Sequence, residues 1–342
     1  MDLNNFFYAI IIFFTLFFTL RRFRYFIEDV SYSSHKVLGS ENRSPVIIGG
    51  FYILATIIIF SSISIDLKIV LALITFLGFL SDRNILPNPK IRLTTQIIIL
   101  FLIVNIDGLK IQDLRYEPLN FLLSNNLFNM SFTVFCLAIL LNGSNFLDGL
   151  NGLVAGYYLI IIITLFVLND FYPNFVLIDN NYLQILMSIL IIFFIFNILG
   201  LAYLGDSGSY AIAFLIGIYL IKFYSSNPLI SPYYIATILW YPAFENLFSL
   251  LRRIVRKKKV SNADNYHLHQ LLFLFFKSKK IISKKFLNSF TALMILIFNL
   301  PGLIISNYYA TKTLPLLLIL IVNISFYICL YYFSFKNFVK NK

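Results

Sequence analysis

The 342-residue sequence is poor in charge: Asp, Glu, Lys and Arg make up 12% of it, where a soluble domain carries about 25%. No long polar segment interrupts it, which argues against a second, soluble domain and for one domain over 1–342. Two cysteines, Cys136 and Cys329, lie in separate apolar stretches and are read as buried, unpaired thiols. Three histidines with no cysteine near them leave a zinc site short of ligands. Acidic residues number 15 against 27 basic ones, a net charge of +12.

What is present is hydrocarbon. Hydrophobic residues make up 59% of the chain, and the mean hydropathy is +0.84. Apolar runs such as ILMSILIIFFIFNILGLAYL recur along the whole length. Runs of roughly 17 to 25 apolar residues read as membrane-spanning helices. The chain is therefore expected to be an all-α polytopic membrane protein. Eleven spans are predicted: 5–20, 46–64, 67–80, 92–106, 128–142, 153–169, 182–203, 209–223, 232–250, 286–306 and 313–334. The acidic leader MDLNNFF precedes the first span, and Arg21, Arg22 and Arg24 follow it. That order predicts a retained helix with its N-terminus outside and a cytoplasmic C-terminus.

The cations agree with that topology. Of the 27 lysines and arginines, 22 fall in the segments placed inside (21–45, 81–92, 142–152, 204–208, 251–285 and 335–342). Lys68, Lys110, Arg115, Lys222 and Lys312 fall outside or near an outer end. The positive charge then needs no nucleic acid partner; it fits loops beside an anionic leaflet and an anionic substrate. The run Lys257 to Lys259 reads as such an anchor.

The same inner segments hold nearly every unusual residue. The stretch LNGSNFLDGLNGL (141–153) packs three Asn, one Asp and three Gly between greasy flanks. GFLSDRNILPNPKIR (78–92), LGDSGS (204–209) and NYHLHQ (265–270) lie on the same side. Polar groups confined to one face point to a site at that membrane surface, whereas a solute pathway would scatter them through the bilayer depth. Asp82, Asp148 and Asp206 each adjoin an apolar span. Alone, each could simply cap a helix. Three carboxylates converging with the amide oxygens of Asn142 and Asn145 would suit Mg²⁺, a hard cation that takes oxygen ligands. Gly49–Gly50 after Pro45 reads as a helix start open to anions or as a close helix contact. His267 and His269 suit phosphate oxygens as hydrogen-bond donors.

NGSNFLDGLNGL, LGDSGS and NYHLHQ, in that order and on one face, resemble the polyprenyl-phosphate N-acetylhexosamine-1-phosphate transferases, over about residues 20 to 275. The resemblance implies transfer of a sugar 1-phosphate from a UDP-sugar to a polyprenyl (undecaprenyl) phosphate, with release of UMP. It implies an active site on the cytoplasmic face of the bacterial inner (plasma) membrane. Mg²⁺ is the implied cofactor, with Mn²⁺ as the alternative, and a homodimer is compatible with it. By matched position it assigns Asp206 and Asn145 to the metal, Asp82 to lipid-phosphate activation and Asp148 to the nucleotide and metal site. Asn151, Asn142, His267, His269, Lys90 and, in the first loop with His35, Lys36 are the substrate-binding candidates.

The sequence departs from that pattern at four places. Ser81 stands where the family has a second Asp beside Asp82, and Asn151 where many members have Asp. Gln270 replaces a common third His, and Glu245 in PAFENL replaces an Asp. These leave open an inactive relative that binds a UDP-sugar without turnover. A transporter is the rival from another class, with Asn197 as the candidate mid-span polar residue. An enzyme using a CDP-alcohol would need an Asp-rich motif that is absent.

Overall fold

The structure, a computed structural model, describes residues 3–23, 45–255 and 266–340. Lys36, His35 and the Lys257–Lys259 run lie outside the described residues. Among those described, eight helices are long and apolar enough to cross a membrane: α1 (Leu3–Arg22), α4 (Pro89–Ile106), α6 (Asn126–Leu147), α7 (Leu153–Phe171), α8 (Asn180–Ile198), α9 (Gly205–Ser226), α13 (Lys284–Tyr308) and α14 (Thr313–Lys340). The protein is an integral, all-α membrane protein.

The other three expected spans have specific reasons for falling short. The first, α2 (Gly49–Phe60), has 12 residues. The second, α3 (Ile65–Asp82), is 18 residues long but carries Asp66, Lys68 and Asp82. The third is broken into α10 (Pro232–Ile238) and α11 (Trp240–Val255). The break follows from Pro242, which has no N–H to give the carbonyl four residues back and whose ring crowds it. The Ile238 carbonyl accepts from the Tyr157 hydroxyl at 2.9 Å instead. Two further helices, α5 (Glu117–Leu123) and α12 (Leu268–Lys279), form in segments read as loops.

Local chemistry sets several helix starts. Asn88 accepts from the Lys90 N–H and Pro89 opens α4, a cap followed by a residue whose missing N–H costs nothing there. Asn125, Asp179 and Ser231 cap α6, α8 and α10 in the same way.

At the centre is α9. Most residues of α9 are buried, whereas few of α14 are, so α9 is the hub and α14 lies at the periphery. It packs against α2, α3 and α6. A short parallel ladder, β1 (Val46–Ile47) on β2 (Ala202–Tyr203), sets the starts of α2 and α9 side by side. Gly49 and Gly50 do open α2, and they do so in close packing: a Cβ on Gly50 would stand 2.6 Å from Ser207 Cβ.

Candidate active site

The start of α9 lacks a cap of its own. Its flanking residue is Leu204, with no side-chain oxygen to offer the first free N–H groups. Asp82, the last residue of α3, fills that role from another helix. Its Oδ1 accepts from the Asp206 N–H at 2.7 Å; its Oδ2 accepts from the Ser207 N–H at 3.1 Å and from the Ser207 hydroxyl at 2.9 Å. A carboxylate at a helix N-terminus is favoured by the helix dipole as well as by the hydrogen bonds. The approach requires Gly205, whose φ is +71° and where a Cβ would stand 2.7 Å from Asp82 Oδ2.

Held this way, the Asp206 carboxylate is 1% exposed and meets three other elements. Asn145 of α6 donates to Oδ1 at 2.6 Å. The Ser81 hydroxyl of α3 donates to Oδ2 at 2.5 Å, and Arg92 of α4 reaches the same oxygen at 3.2 Å. Arg92 also donates to the Ser81 hydroxyl. A buried carboxylate is tolerated when paired and hydrogen-bonded, and both conditions hold here.

A second cluster adjoins the first through α6. Phe146, next to Asn145, lies with its ring 5.0 Å from the His267 ring, and the Arg253 guanidinium sits over Phe146 at 5.8 Å. His267 Nδ1 lies 2.8 Å from Glu245 Oε1, and the Tyr327 hydroxyl donates to Glu245 Oε2 at 2.7 Å. His269 stacks on His267 with ring centres 5.5 Å apart and planes 16° apart. Among the described residues, neither ring nitrogen of His269 has a hydrogen-bond partner. Gln270 accepts from the His267 N–H at 3.3 Å and so stabilises the start of α12.

Burial pushes the His269 imidazole down to about 3, with His267 adding to the depression and Glu245 opposing it. The unfolded chain binds this proton near the usual 6.5, the folded chain only near 3. Above 6.5 the group adds no pH dependence. Below it the unfolded state holds more protons, so stability falls, by at most about 1.4 kcal/mol per pH unit for one proton. Thermal unfolding in detergent is expected to drop between pH 7 and 5, and His269→Phe to flatten that drop. An unchanged slope in the variant would assign the titration to another group.

The structure brings Asp82, Asp206 and Asn145 together, and Asp148 follows the end of α6 directly after Leu147. Among the described residues no three His, Cys, Asp or Glu side chains lie close enough to hold a metal. Asp148 caps the end of α6, its N–H donating to the Asn145 carbonyl at 3.3 Å. Asn142 hydrogen-bonds Gln96 of α4 at 2.9 Å, beside the cluster. The Asn151 N–H donates to Asn288 at 2.6 Å. Lys90 is exposed, and Arg92, two residues on, is the cation that reaches Asp206. Sequence reasoning missed Arg92; the signal was the KIR triplet, which places two cations in the first turn of a helix capped by Asn88. Asn197, the candidate for a mid-span solute contact, uses both ends of its amide within the fold. It accepts from the Gly152 N–H at 2.6 Å and donates to the Ala202 carbonyl at 2.7 Å.

Residues 64–224 match the glycosyl transferase family 4 model. That segment is similar to glycosyl transferase family 4. It carries Ser81, Asp82, Arg92, Asn145 and Asp206, and it stops short of Glu245, His267 and Tyr327. The chain is also 28% identical over 204 residues to a probable undecaprenyl-phosphate N-acetylglucosaminyl 1-phosphate transferase of Bacillus subtilis (strain 168). That match covers 59% of this chain and 56% of the relative, so the chain spans about half the length of the curated protein it matches. The matched segment thus holds the Asp206 cluster, and Glu245, His267, His269 and Tyr327 lie on or next to helices beyond it.

Proposed function

We propose that the protein transfers a sugar 1-phosphate, in the first instance N-acetylglucosamine 1-phosphate, from its UDP conjugate to undecaprenyl phosphate. UMP is released. The observation that carries this reading is the buried Asp206 carboxylate at the start of α9, flanked by Asn145 and Arg92 within the family 4 segment. An oxygen of the lipid phosphate attacks the β-phosphorus of the UDP-sugar, and the bond from that phosphorus to the bridging oxygen of UMP breaks. Phosphoryl transfer asks little of a protein beyond positioning and neutralising charge.

The donor set fits Mg²⁺. One carboxylate and one amide, Asp206 and Asn145, are in direct contact, and a carboxamide presents oxygen or nitrogen by a half-turn of its last torsion. Mg²⁺ is typically held by one or two carboxylates plus substrate phosphates, with no all-protein cage, which agrees with the lack of a third acidic partner among the described residues. When bound, the ion would neutralise charge on the diphosphate. Arg92, with its guanidinium beside Asp206, is placed to meet a phosphate oxygen. Asp82 serves by fixing the Asp206 backbone. A phosphate monoester near neutral pH is already largely ionised, so the lipid needs no separate base. His267, His269 and Asn151 complete the donor site. The cation bias of the loops supports an active site on the cytoplasmic face of the bacterial inner membrane.

Purified protein in detergent, given undecaprenyl phosphate and UDP-N-acetylglucosamine, is expected to release UMP only when both lipid and Mg²⁺ are present. Other UDP-sugars run in parallel would set the specificity. Binding of UDP-sugar with no UMP from any donor would sink the transferase reading. It would favour a binding protein in which Ser81 replaced a needed carboxylate.

A further inference from the structure

We infer that Glu245 and Tyr327 are positioning residues for His267, forming a buried relay that aims the imidazole at the diphosphate. The inference rests on the transferase reading and deepens it. His267 is held on three sides. Its Nδ1 is 2.8 Å from Glu245 Oε1, its ring lies between Phe146 and His269, and its N–H is taken by Gln270. A carboxylate only accepts hydrogen bonds, so Nδ1 is the nitrogen that carries the proton toward it. Nε2 is thereby fixed as the edge facing away from Glu245. A histidine that must meet an anion through one ring nitrogen is ordinarily oriented through the other, as metal-bound and triad histidines are.

Glu245 is itself fully buried and needs its own support. Besides His267, it accepts from the Tyr327 hydroxyl at 2.7 Å and from the Leu268 N–H at 3.4 Å. Tyr327 comes from α14, few of whose residues are buried. The last helix therefore sends one fully buried hydroxyl-bearing ring toward the site. Glu245, His267 and Tyr327 sit on α11, at the start of α12 and on α14, all beyond residues 64–224. The Glu245 carboxylate gives one oxygen to His267 and the other to Tyr327.

The test is a double-mutant cycle on the full-length protein in detergent. UMP release and UDP affinity would be measured for the wild type, Glu245→Gln, His267→Gln and the double variant. Glu245→Gln and His267→Gln are each expected to lower kcat/KM by roughly 10- to 100-fold, with the double variant no worse than His267→Gln alone. Two losses that multiply would overturn the relay, because Glu245 would then act independently of His267. Because a buried Glu→Gln change could unfold the protein, Tyr327→Phe and Glu245→Asp provide milder arms. Both are expected to retain more activity than Glu245→Gln, and their losses are expected to vanish in the His267→Gln background. Losses that persist there would refute the inference. A wild-type protein that binds UDP but releases no UMP would defeat the transferase reading only. The same cycle, read as UDP affinity, would then decide the relay.

Discussion

Asp206→Ala is expected to lower UMP release by about 100- to 1000-fold. Few other single side chains touch so many elements. The carboxylate gathers Asn145 from α6, Ser81 from α3 and Arg92 from α4, and its own N–H is capped by Asp82. Its loss leaves the Arg92 guanidinium without its anion and the Asn145 amide without its acceptor. Asp206→Asn separates charge from shape, since it keeps both oxygen and volume at one position. Removing a negative charge from beside a diphosphate should leave Mg²⁺-free UDP binding intact or tighter. The strengthening of UDP binding by Mg²⁺ should disappear. Titrating UDP with and without Mg²⁺ therefore reports on the proposed ion separately from turnover. If Mg²⁺ still tightens UDP binding to Asp206→Asn, the ion is held elsewhere. If Asp206→Ala keeps wild-type UMP release, the cluster is structural.

The readable part of this fold was its hydrophobic pattern. Nine-tenths of the α9 window is buried, and its sequence is apolar almost all round, as a helix surrounded by others must be. Asn88–Pro89 announced the start of α4. Pro242 marked the break that divides α10 from α11, but a run of apolar residues across it concealed the consequence. The short helix α12 was hidden because HLHQLLFLFFKSK follows a basic run and reads as part of an inner loop. In the site, Asn145 and Asp206 were visible as polar residues that a greasy chain has no other reason to keep at helix ends. Three carboxylates on one face suggest convergence, and Asp148 sits at the turn that follows Leu147. That turn depends on where α6 stops, which sequence patterns place only to within a few residues. Asp82 reads from the sequence as a site residue, and in the structure it caps a helix that begins more than a hundred residues later. No local pattern shows that Leu204 lacks a cap and that another helix supplies it. The Glu245–His267–Tyr327 contact joins three helices through tertiary packing and has no local signature at all.

Gly78→Ala is expected to disable the same site from one helical turn away, without touching a polar group. An added Cβ at Gly78 would lie 2.4 Å from Ser207 Cα, 2.5 Å from Ser207 N and 2.7 Å from the Asp206 carbonyl carbon. All three are backbone atoms of the first turn of α9, which cannot rotate out of the way. Helix α3 would have to back off from α9, and Asp82, four residues on, would move with it. The three hydrogen bonds that Asp82 supplies would lengthen together, and Asp206 would lose its register with Asn145 and Arg92. Alanine in place of a helical glycine gains about 1 kcal/mol in propensity, whereas overpacking costs about 1–3 kcal/mol, so the net change should destabilise. Gly217→Ala, in α9 itself, is the matched control. Its new Cβ would meet the ends of Leu137 and Leu140, at 2.7 and 3.2 Å, and leucine tips can shift. Propensity should roughly offset crowding there. Thermal unfolding in detergent should therefore fall for Gly78→Ala and hold within about 1 kcal/mol for Gly217→Ala. UMP release should fall at least about tenfold for the first variant, since a misplacement near 1 Å can cost as much as a hundredfold, and stay near wild type for the second. Equal losses for the two would mean that close packing of α3 on α9 does not set the geometry of Asp206.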